Sequence, residues 1–198
     1  VTRGPGATNA TVGIHTAMQD SVPMILFVGQ VGTDVMGREA FQEVDYTAFF
    51  GPLAKWAVQI DHVDRVPEII SRAWTVAMSG RPGPVVVALP EDMLVATSDR
   101  LPCNPVAIPE PAVPEAGAAH IAAMLAAAER PVILVGGTRW TAGSARALES
   151  FSAVNDVPVV AAFRFHDIID NHCPSFVGDA GVAMNAYMKV LLREADLI

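Results

Sequence analysis

Short apolar runs alternate with stretches of helical spacing along the chain, an order typical of α/β folds with parallel sheets. Runs without polar alternation, above all the valines at 85–87, are typical of strands buried on both faces. In the first hundred residues the pattern predicts strands at 24–28, 55–60 and 84–89 and helices at 11–18, 46–50 and 66–79. Further on it predicts helices at 115–129, 141–155 and 183–194 and strands at 131–135 and 158–162.

Capping residues mark several of these helix ends. Asp45 and Asp64 each precede a predicted helix and are predicted as its N-cap, while Gly80 is predicted to stop the second of these helices. The apolar positions of that helix follow helical spacing and predict its buried face. They are Val66, Ile69, Ile70, Ala73 and Ala77.

A proline-rich stretch divides the chain. Prolines recur from Pro90 to Pro114, Pro105 among them, which excludes regular structure and favours an extended, semi-rigid linker. We therefore predict a first domain at residues 1–95, a linker at 96–114 and a second domain at 115–198. The fold class that follows is α/β, with two parallel-sheet domains of three layers.

Both ends of the chain resemble pieces of strands. Val1 and Thr2 have the character of the last residues of a strand, and Asp196 to Ile198 that of the first residues of another. We therefore expect a fragment of a longer polypeptide in which both domains are truncated.

Composition narrows the classes of ligand. Hydrophobic residues make up 52% of the chain and charged residues 17%, which indicates a sizeable core and an oligomer interface besides. A net charge of -8 argues against nucleic acid and anionic membrane surfaces, which attract clustered Lys and Arg. The apolar runs are too short to span a bilayer and no signal peptide is evident, so a cytoplasmic protein with a small-molecule ligand is expected.

Metal binding is not indicated. Cys103 and Cys173 are far apart and form no C-x-x-C motif. His166, Asp167, Asp170 and His172 share one stretch, but their spacing matches no ligand pattern and favours a polar turn.

A glycine-rich run near the start is the first candidate site. Gly4 and Gly6 permit close backbone approach or φ values closed to other residues, Pro5 stiffens the chain, and Thr8 or Asn9 is predicted to cap the following helix. The run alone predicts a tight strand-to-helix turn. Such turns lie where open α/β sheets bind ligands, although the spacing is neither that of a P-loop nor that of a dinucleotide fingerprint.

Five segments in the same order and spacing resemble the thiamine-diphosphate enzymes of the acetolactate synthase type. They are TRGPGATN at 2–9, DSVPM at 20–24 with GQV at 29–31, AFQE at 40–43, SGRPGPV at 79–85 and LPED at 89–92. RPVILVGG at 130–137 continues the resemblance more loosely. It implies the back part of a pyrimidine-binding domain followed by most of a Rossmann-like central domain.

The resemblance implies roles for particular residues. Gly4, Pro5, Gly6 and Asn9 correspond to the wall beside the cofactor's aminopyrimidine ring, and Phe41 and Gln42 to residues that approach the cofactor's reacting end and the substrate. The family's proton-relay glutamate would precede Val1, so no catalytic residue is assigned here. The magnesium site would also lie outside these residues.

Further properties follow from the same resemblance. The implied activity is decarboxylation of a 2-oxo acid and transfer of the two-carbon unit to an acceptor carbonyl, by a homodimer or homotetramer. FAD is implied in some members, with Arg81, Gly136 and Gly137 as contacts. The sequence departs from the flavin pattern at Thr138, where a third glycine is usual, and over 178–182, where a histidine is missing. We expect these 198 residues alone to be inactive.

Two other classes stay open. A non-catalytic nucleotide-binding or regulatory α/β module has the same alternation of strands and helices, because fold does not imply function. The apolar composition is also compatible with a degenerate subunit that keeps only a dimer surface. Neither explains the register between the glycine run and AFQE at 40–43.

Overall fold

The computed structural model describes residues 1–104 and 106–198, so the predicted linker residue Pro105 lies outside the described residues. The chain divides into two compact units, Val1–Glu110 and Pro111–Ile198. Each is an α/β unit built on a parallel sheet, as the alternation of apolar runs predicts.

Unit 1 begins with a long helix and alternates strands and helices from there. Its elements are α1 (Arg3–Asp20), β1 (Met24–Gln30), α2 (Tyr46–Phe50), β2 (Trp56–Gln59), a 3₁₀ turn (Val63–Arg65), α3 (Val66–Met78), β3 (Pro84–Pro90) and α4 (Glu91–Val95).

The three strands of unit 1 are parallel and lie in the order β1-β3-β2. Thr2 forms a parallel bridge with Gly29, so the residues before α1 run beside β1 as a further strand does. The central position of β3 explains its valine run, since Val85, Val86 and Val87 are fully buried. The sequence pattern therefore predicted the centre of this sheet correctly.

Helices cover both faces of this sheet. Val86 lies in the core that α1 and α2 close with Ile14 and Phe50, while Val85 and Val87 face the core that α3 closes. On α3 the predicted Ile69, Ala73 and Ala77 are buried, while Val66 and Ile70, also predicted, are only half-buried. Unit 1 is thus a three-layer sandwich.

The capping and proline signals of unit 1 predict its local structure only in part. Asp45 caps α2 as predicted, its carboxylate accepting the Ala48 N–H at 3.0 Å. The prediction that Asp64 caps α3 was wrong, because Asp64 lies in the 3₁₀ turn and accepts the Ser98 hydroxyl at 2.6 Å. The prediction of no regular structure after Pro90 was also wrong, since α4 follows β3 directly.

Unit 2 repeats the architecture on a smaller sheet. Its elements are α5 (Glu115–Ala127), β4 (Ile133–Val135), α6 (Ala142–Asn155), β5 (Val159–Ala162), β6 (Phe176–Ala180) and α7 (Ala186–Glu194). The parallel strands lie in the order β4-β5-β6, and Leu197 bridges Pro131 beside β4. Of these elements, β6 was missed by the sequence pattern.

The sheet of unit 2 also carries a core on each face. Val135, Val159 and Ala161 pack with Leu148 of α6, and Val160 packs with Met188 of α7. In the described part of the chain, none of the helices combines the length and apolar character that a membrane crossing requires.

Candidate cofactor and substrate site

Three segments of unit 1 meet at the edge formed by the carboxyl ends of its strands. β1 ends at Gln30, β2 at Gln59 and β3 at Pro90, and because all three are parallel these ends share one edge. The start of α1, the stretch after β1 and the start of α4 are linked there by the contacts described below. Open α/β sheets bind their ligands at this edge.

The glycine run lies inside the first turn of α1 and is not the turn that the sequence predicted. The chain turns one residue earlier, at Arg3, which has a φ of 40°. Thr8 does not cap the helix, because its hydroxyl donates to the Gly4 carbonyl within it at 2.8 Å. Asn9 is likewise in the helix interior, and Pro5 is tolerated because prolines fit the first helical turn.

Close approach by the chain's own backbone requires the two glycines. The Gly4 N–H donates to the Gln42 carbonyl at 2.9 Å. A Cβ at Gly4 would come within 3.0 Å of that oxygen, and one at Gly6 within 3.2 Å of the Val1 Cβ. Neither glycine has a positive φ, so the space they leave matters here and their conformational freedom does not.

The stretch of residues 37–44, here called the Phe41 segment, lies against the start of α1. Its Gln42 has a φ of 64°, a left-handed conformation that costs a non-glycine residue free energy. Phe41 is 76% exposed, which leaves a bare aromatic ring at this edge. The Phe41 carbonyl accepts from Arg3 Nη1 at 3.4 Å.

Arg3 joins the remaining segment to this site. Its Nη2 donates to a carboxylate oxygen of Glu91, in the first turn of α4. A cation at a helix N-terminus is electrostatically unfavourable, and the Glu91 carboxylate offsets it. Arg3 thereby connects α1, α4 and the Phe41 segment.

Gln30 is a buried polar residue whose role no pattern in the sequence predicts. It is 2% exposed, donates through Nε2 to the Val44 carbonyl at 2.8 Å and accepts the Val31 N–H at 3.0 Å. Buried amides have to be paired, and this pairing fixes the end of the Phe41 segment to the sheet. A glutamine that closes an apolar strand is the signal by which it could have been found.

Pro5 and Asn9 present one face of α1. They are four residues apart and therefore neighbours on the helix surface, and both are exposed. In the described part of the chain the Asn9 amide has no hydrogen-bond partner. An amide without a partner beside a proline suits the edge of a flat heteroaromatic ligand, which combines apolar faces with polar edge atoms.

Tyr46, the first residue of α2, has a buried hydroxyl without a hydrogen-bond partner among the described residues. The residue is 2% exposed, and within residues 1–104 and 106–198 its hydroxyl finds no partner. Burial raises the pKa of this phenol, and the nearby positive charge of Arg3 opposes that rise. The hydroxyl therefore stays neutral.

Arg81 serves the end of α1 in this structure. Its Nε donates to the Ser21 hydroxyl at 2.7 Å, and its Nη2 donates to the carbonyls of Met18 and Gln19 at 2.9 and 3.1 Å. These carbonyls have no partner within the helix, so the guanidinium caps its C-terminus and complements its dipole.

Gly136 and Gly137 follow β4 in unit 2. The carbonyl of Gly136 accepts from the Trp140 indole at 3.1 Å, and a Cβ there would lie 3.3 Å from that of Ala162 and 3.4 Å from the Phe165 ring. Gly137 has a φ of 78°, and nothing lies within 4 Å of its missing side chain. Gly136 is thus needed for packing, while Gly137 is needed for its backbone conformation.

The candidate metal stretch of unit 2 forms a polar turn. The Asp170 carboxylate accepts the His172 N–H at 2.9 Å, and Glu149 accepts the Asp170 N–H at 3.0 Å. Among the described residues, His, Cys, Asp and Glu side chains form no group of three that could hold a metal ion.

Comparison with known families assigns both units. The N-terminal TPP binding domain of thiamine pyrophosphate enzymes matches residues 1–49, and the central domain of these enzymes matches residues 118–198. The chain belongs to the thiamine pyrophosphate enzyme family and contains parts of these two domains.

Within that family the chain is similar to acetolactate synthase large subunits. It is 32% identical over 197 residues to the isozyme 2 large subunit of Escherichia coli K12, a match that covers the whole chain and 36% of that protein. It is 34% identical over 204 residues to the large subunit of Lactococcus lactis, covering the whole chain and 35% of that protein. The isozyme 3 large subunit of Escherichia coli is 37% identical over an alignment of 169 residues that covers 82% of the chain and 29% of that protein. The chain thus spans about a third of the length of these relatives.

Proposed function

We propose that the polypeptide containing these 198 residues is a thiamine-diphosphate-dependent carboligase or decarboxylase of 2-oxo acids, with acetolactate formation from pyruvate as its first candidate activity. Similarity to acetolactate synthase large subunits along the whole chain carries this proposal. In this reaction pyruvate loses carbon dioxide and its remaining two-carbon unit adds to the carbonyl of an acceptor.

The residues at the carboxyl edge of unit 1 fit the pyrimidine end of the cofactor. We assign Gly4, Pro5, Gly6 and Asn9 to the wall of its pocket, and Phe41 and Gln42 to the substrate side. The unpartnered Asn9 amide and the exposed Phe41 ring support this assignment. Bound thiamine diphosphate supplies carbanion stabilisation, which no protein side chain provides.

The proposed role of this chain's own residues is to orient the cofactor and substrate and to shield them from water. With a ligand bound, Phe41 would cover its apolar surface and exclude water, while Asn9 would offer a donor and an acceptor to the edge of its ring. We assign no proton-transfer role to this chain. We further expect the 198 residues alone to be inactive, because they span about a third of the relatives' length.

The finer parts of the proposal concern domains and other cofactors. We assign residues 1–95 to the pyrimidine-binding domain, 96–114 to the linker and 115–198 to the central domain. Magnesium would bind outside these residues. Flavin binding has the least support, because two of its proposed contacts have structural roles here: Arg81 caps α1 and Gly136 packs against Phe165. Visible absorbance of the purified holoenzyme decides whether flavin is present.

Assembly and location complete the proposal. A homodimer or homotetramer with the site at its interface would cover the bare Phe41 and Val12, which is 74% exposed on α1. The free thiols Cys103 and Cys173 suit a reducing cytoplasm. Light scattering measures the oligomer, and cell fractionation tests the location.

Turnover by the longest natural polypeptide that contains this sequence tests the proposed activity. With thiamine diphosphate and magnesium, we expect pyruvate consumption with carbon dioxide release and acetolactate formation. Binding of the cofactor without release of carbon dioxide from any 2-oxo acid would favour the non-catalytic module. The 198-residue chain, assayed in parallel, should give no turnover.

A further inference from the structure

The Phe41 segment holds an unfavourable conformation and therefore needs a restraint. Glu39 and Gln42 both have positive φ, 57° and 64°, and Gly37 has a φ of 78°. For the two residues that carry side chains, such angles are energetically unfavourable and persist only where surrounding contacts impose them. Gln30 and Gly4 hold the end of the segment, but neither reaches its beginning.

Glu43 supplies the missing contacts. Its Oε1 accepts the Gly37 N–H at 2.6 Å and its Oε2 accepts the Ala40 N–H at 3.0 Å. Its own N–H donates to the Ala40 carbonyl at 3.0 Å. One carboxylate thus closes residues 37–43 into a loop with Phe41 at its exposed tip.

We propose that Glu43 is a positioning residue that fixes Phe41 and Gln42 against the first turn of α1 by bridging the amides of Gly37 and Ala40. The connection to α1 runs through Gln42, whose carbonyl accepts the Gly4 N–H and is adjacent in sequence to Glu43. The role as a substrate-positioning device rests on the proposed function. The role of Glu43 in holding the Phe41 segment in place does not depend on the proposed function.

Glu43 is not placed to transfer protons. Both carboxylate oxygens already accept N–H groups. The hydrogen bond from Gly37, then that from Ala40, holds the pKa of the Glu43 carboxyl below its ordinary value. A carboxylate stabilised in this way stays ionised near neutral pH and serves as an acceptor only.

The first test follows amide exchange of the Phe41 segment and of Gly4 in the natural polypeptide. Glu43→Gln keeps the size of the side chain but loses its charge and one acceptor, and hydrogen bonds to a charged group are stronger than those to a neutral amide. Because a glutamine amide has a single acceptor oxygen, we expect protection of either the Gly37 or the Ala40 amide, together with that of Gly4, to fall about tenfold or more. Glu39→Gln, which removes the same charge from the same segment, should leave it unchanged. Unchanged protection in Glu43→Gln overturns the proposal.

The second test needs no variant. Because folding lowers the pKa of Glu43, its contribution is present above the ordinary carboxyl pKa of about 4.3 and is lost as pH falls through the lowered value. Protection of Gly37 and Ala40, corrected for intrinsic exchange, should therefore fall in acid before the core of unit 1 unfolds. Protection of these two amides that stays constant until global unfolding contradicts the bridge.

Kinetics separates this role from the proposed function. With pyruvate, Glu43→Gln should lower kcat and raise KM, so that kcat/KM falls about tenfold in all. Glu43→Asp, which keeps the charge, should recover part of kcat/KM. Equal kinetics in Glu43→Gln and wild type overturns the positioning role. Absence of turnover in wild type, together with the exchange pattern above, overturns the proposed function alone.

Discussion

The backbone N–H of Gly4 donates a 2.9 Å hydrogen bond to the carbonyl oxygen of Gln42, 38 residues further along the chain. This contact joins the glycine run of α1 to the Phe41 segment, the two parts of the sequence to which the resemblance assigns cofactor and substrate roles. Their sequence motifs are thus neighbours in space.

Gly4→Ala should weaken this junction. Its Cβ would lie 3.0 Å from the Gln42 oxygen and 3.2 Å from Val44 Cγ2, so the backbone has to move. We expect the free energy of unfolding of unit 1 to fall by about 1–3 kcal/mol. Urea unfolding followed by Trp56 and Trp74 fluorescence, in a Trp140→Phe background, measures it.

Gly13→Ala is the matched control on the same helix. A Cβ there meets nothing within 4 Å. Because alanine is the better helix former, this variant should raise the free energy of unfolding by about 0.5–1 kcal/mol. A Gly4→Ala variant that is as stable as Gly13→Ala contradicts the steric account.

Arg81→Ala should destabilise unit 1 by removing the cap of α1. Three hydrogen bonds from the guanidinium disappear and the last carbonyls of α1 lose their partner. We expect a loss of about 1–2 kcal/mol in the free energy of unfolding. The exposed Arg38, changed to Ala, loses the same charge and should stay within about 0.5 kcal/mol of wild type. Equal stabilities would show that Arg81 is not needed as a cap.

Asp45→Ala should destabilise α2 in a pH-dependent way. The Ala48 N–H and then the Thr47 hydroxyl hold the pKa of Asp45 below its ordinary value. The ionised Asp45 carboxylate therefore stabilises the folded state fully above about pH 3.9. This stabilisation is lost as the pH falls through the lowered pKa. We expect a deficit of about 1 kcal/mol at pH 7 that shrinks in acid, measured by urea unfolding at several pH values.

Asp99→Ala, at an exposed position, is the control for this pH series. It should match wild type at every pH. A deficit in Asp45→Ala that stays constant into strong acid would assign the effect to something other than the charged cap.

The strand centres were predictable because their signal is local. The valines of β3 are buried on both faces, and an uninterrupted apolar run directly reflects that environment. By contrast β6 escaped detection, since Gly178 has a φ of 122° and Asp179 interrupts the apolar pattern. Its residues are only half-buried, so composition gave little signal.

The site was harder to predict because its contacts are tertiary. A glycine run at a strand end suggests a turn. In the structure, however, Gly4 and Gly6 are needed because Gln42 and Val1 lie too close for a Cβ. The same holds for Glu43, whose carboxylate partners are backbone amides that no motif encodes. Resemblance located these residues, while their geometry required the fold.

Titration of the natural polypeptide with thiamine diphosphate, followed by calorimetry, tests the central claim most directly. The account predicts saturable binding to wild type and an affinity about fivefold to tenfold weaker in Asn9→Ala, the loss of about one hydrogen bond. Asn171→Ala, an exposed asparagine of unit 2, should bind as wild type does. Equal affinity in Asn9→Ala and wild type, or no binding to wild type, would contradict the assignment of α1 to the cofactor pocket.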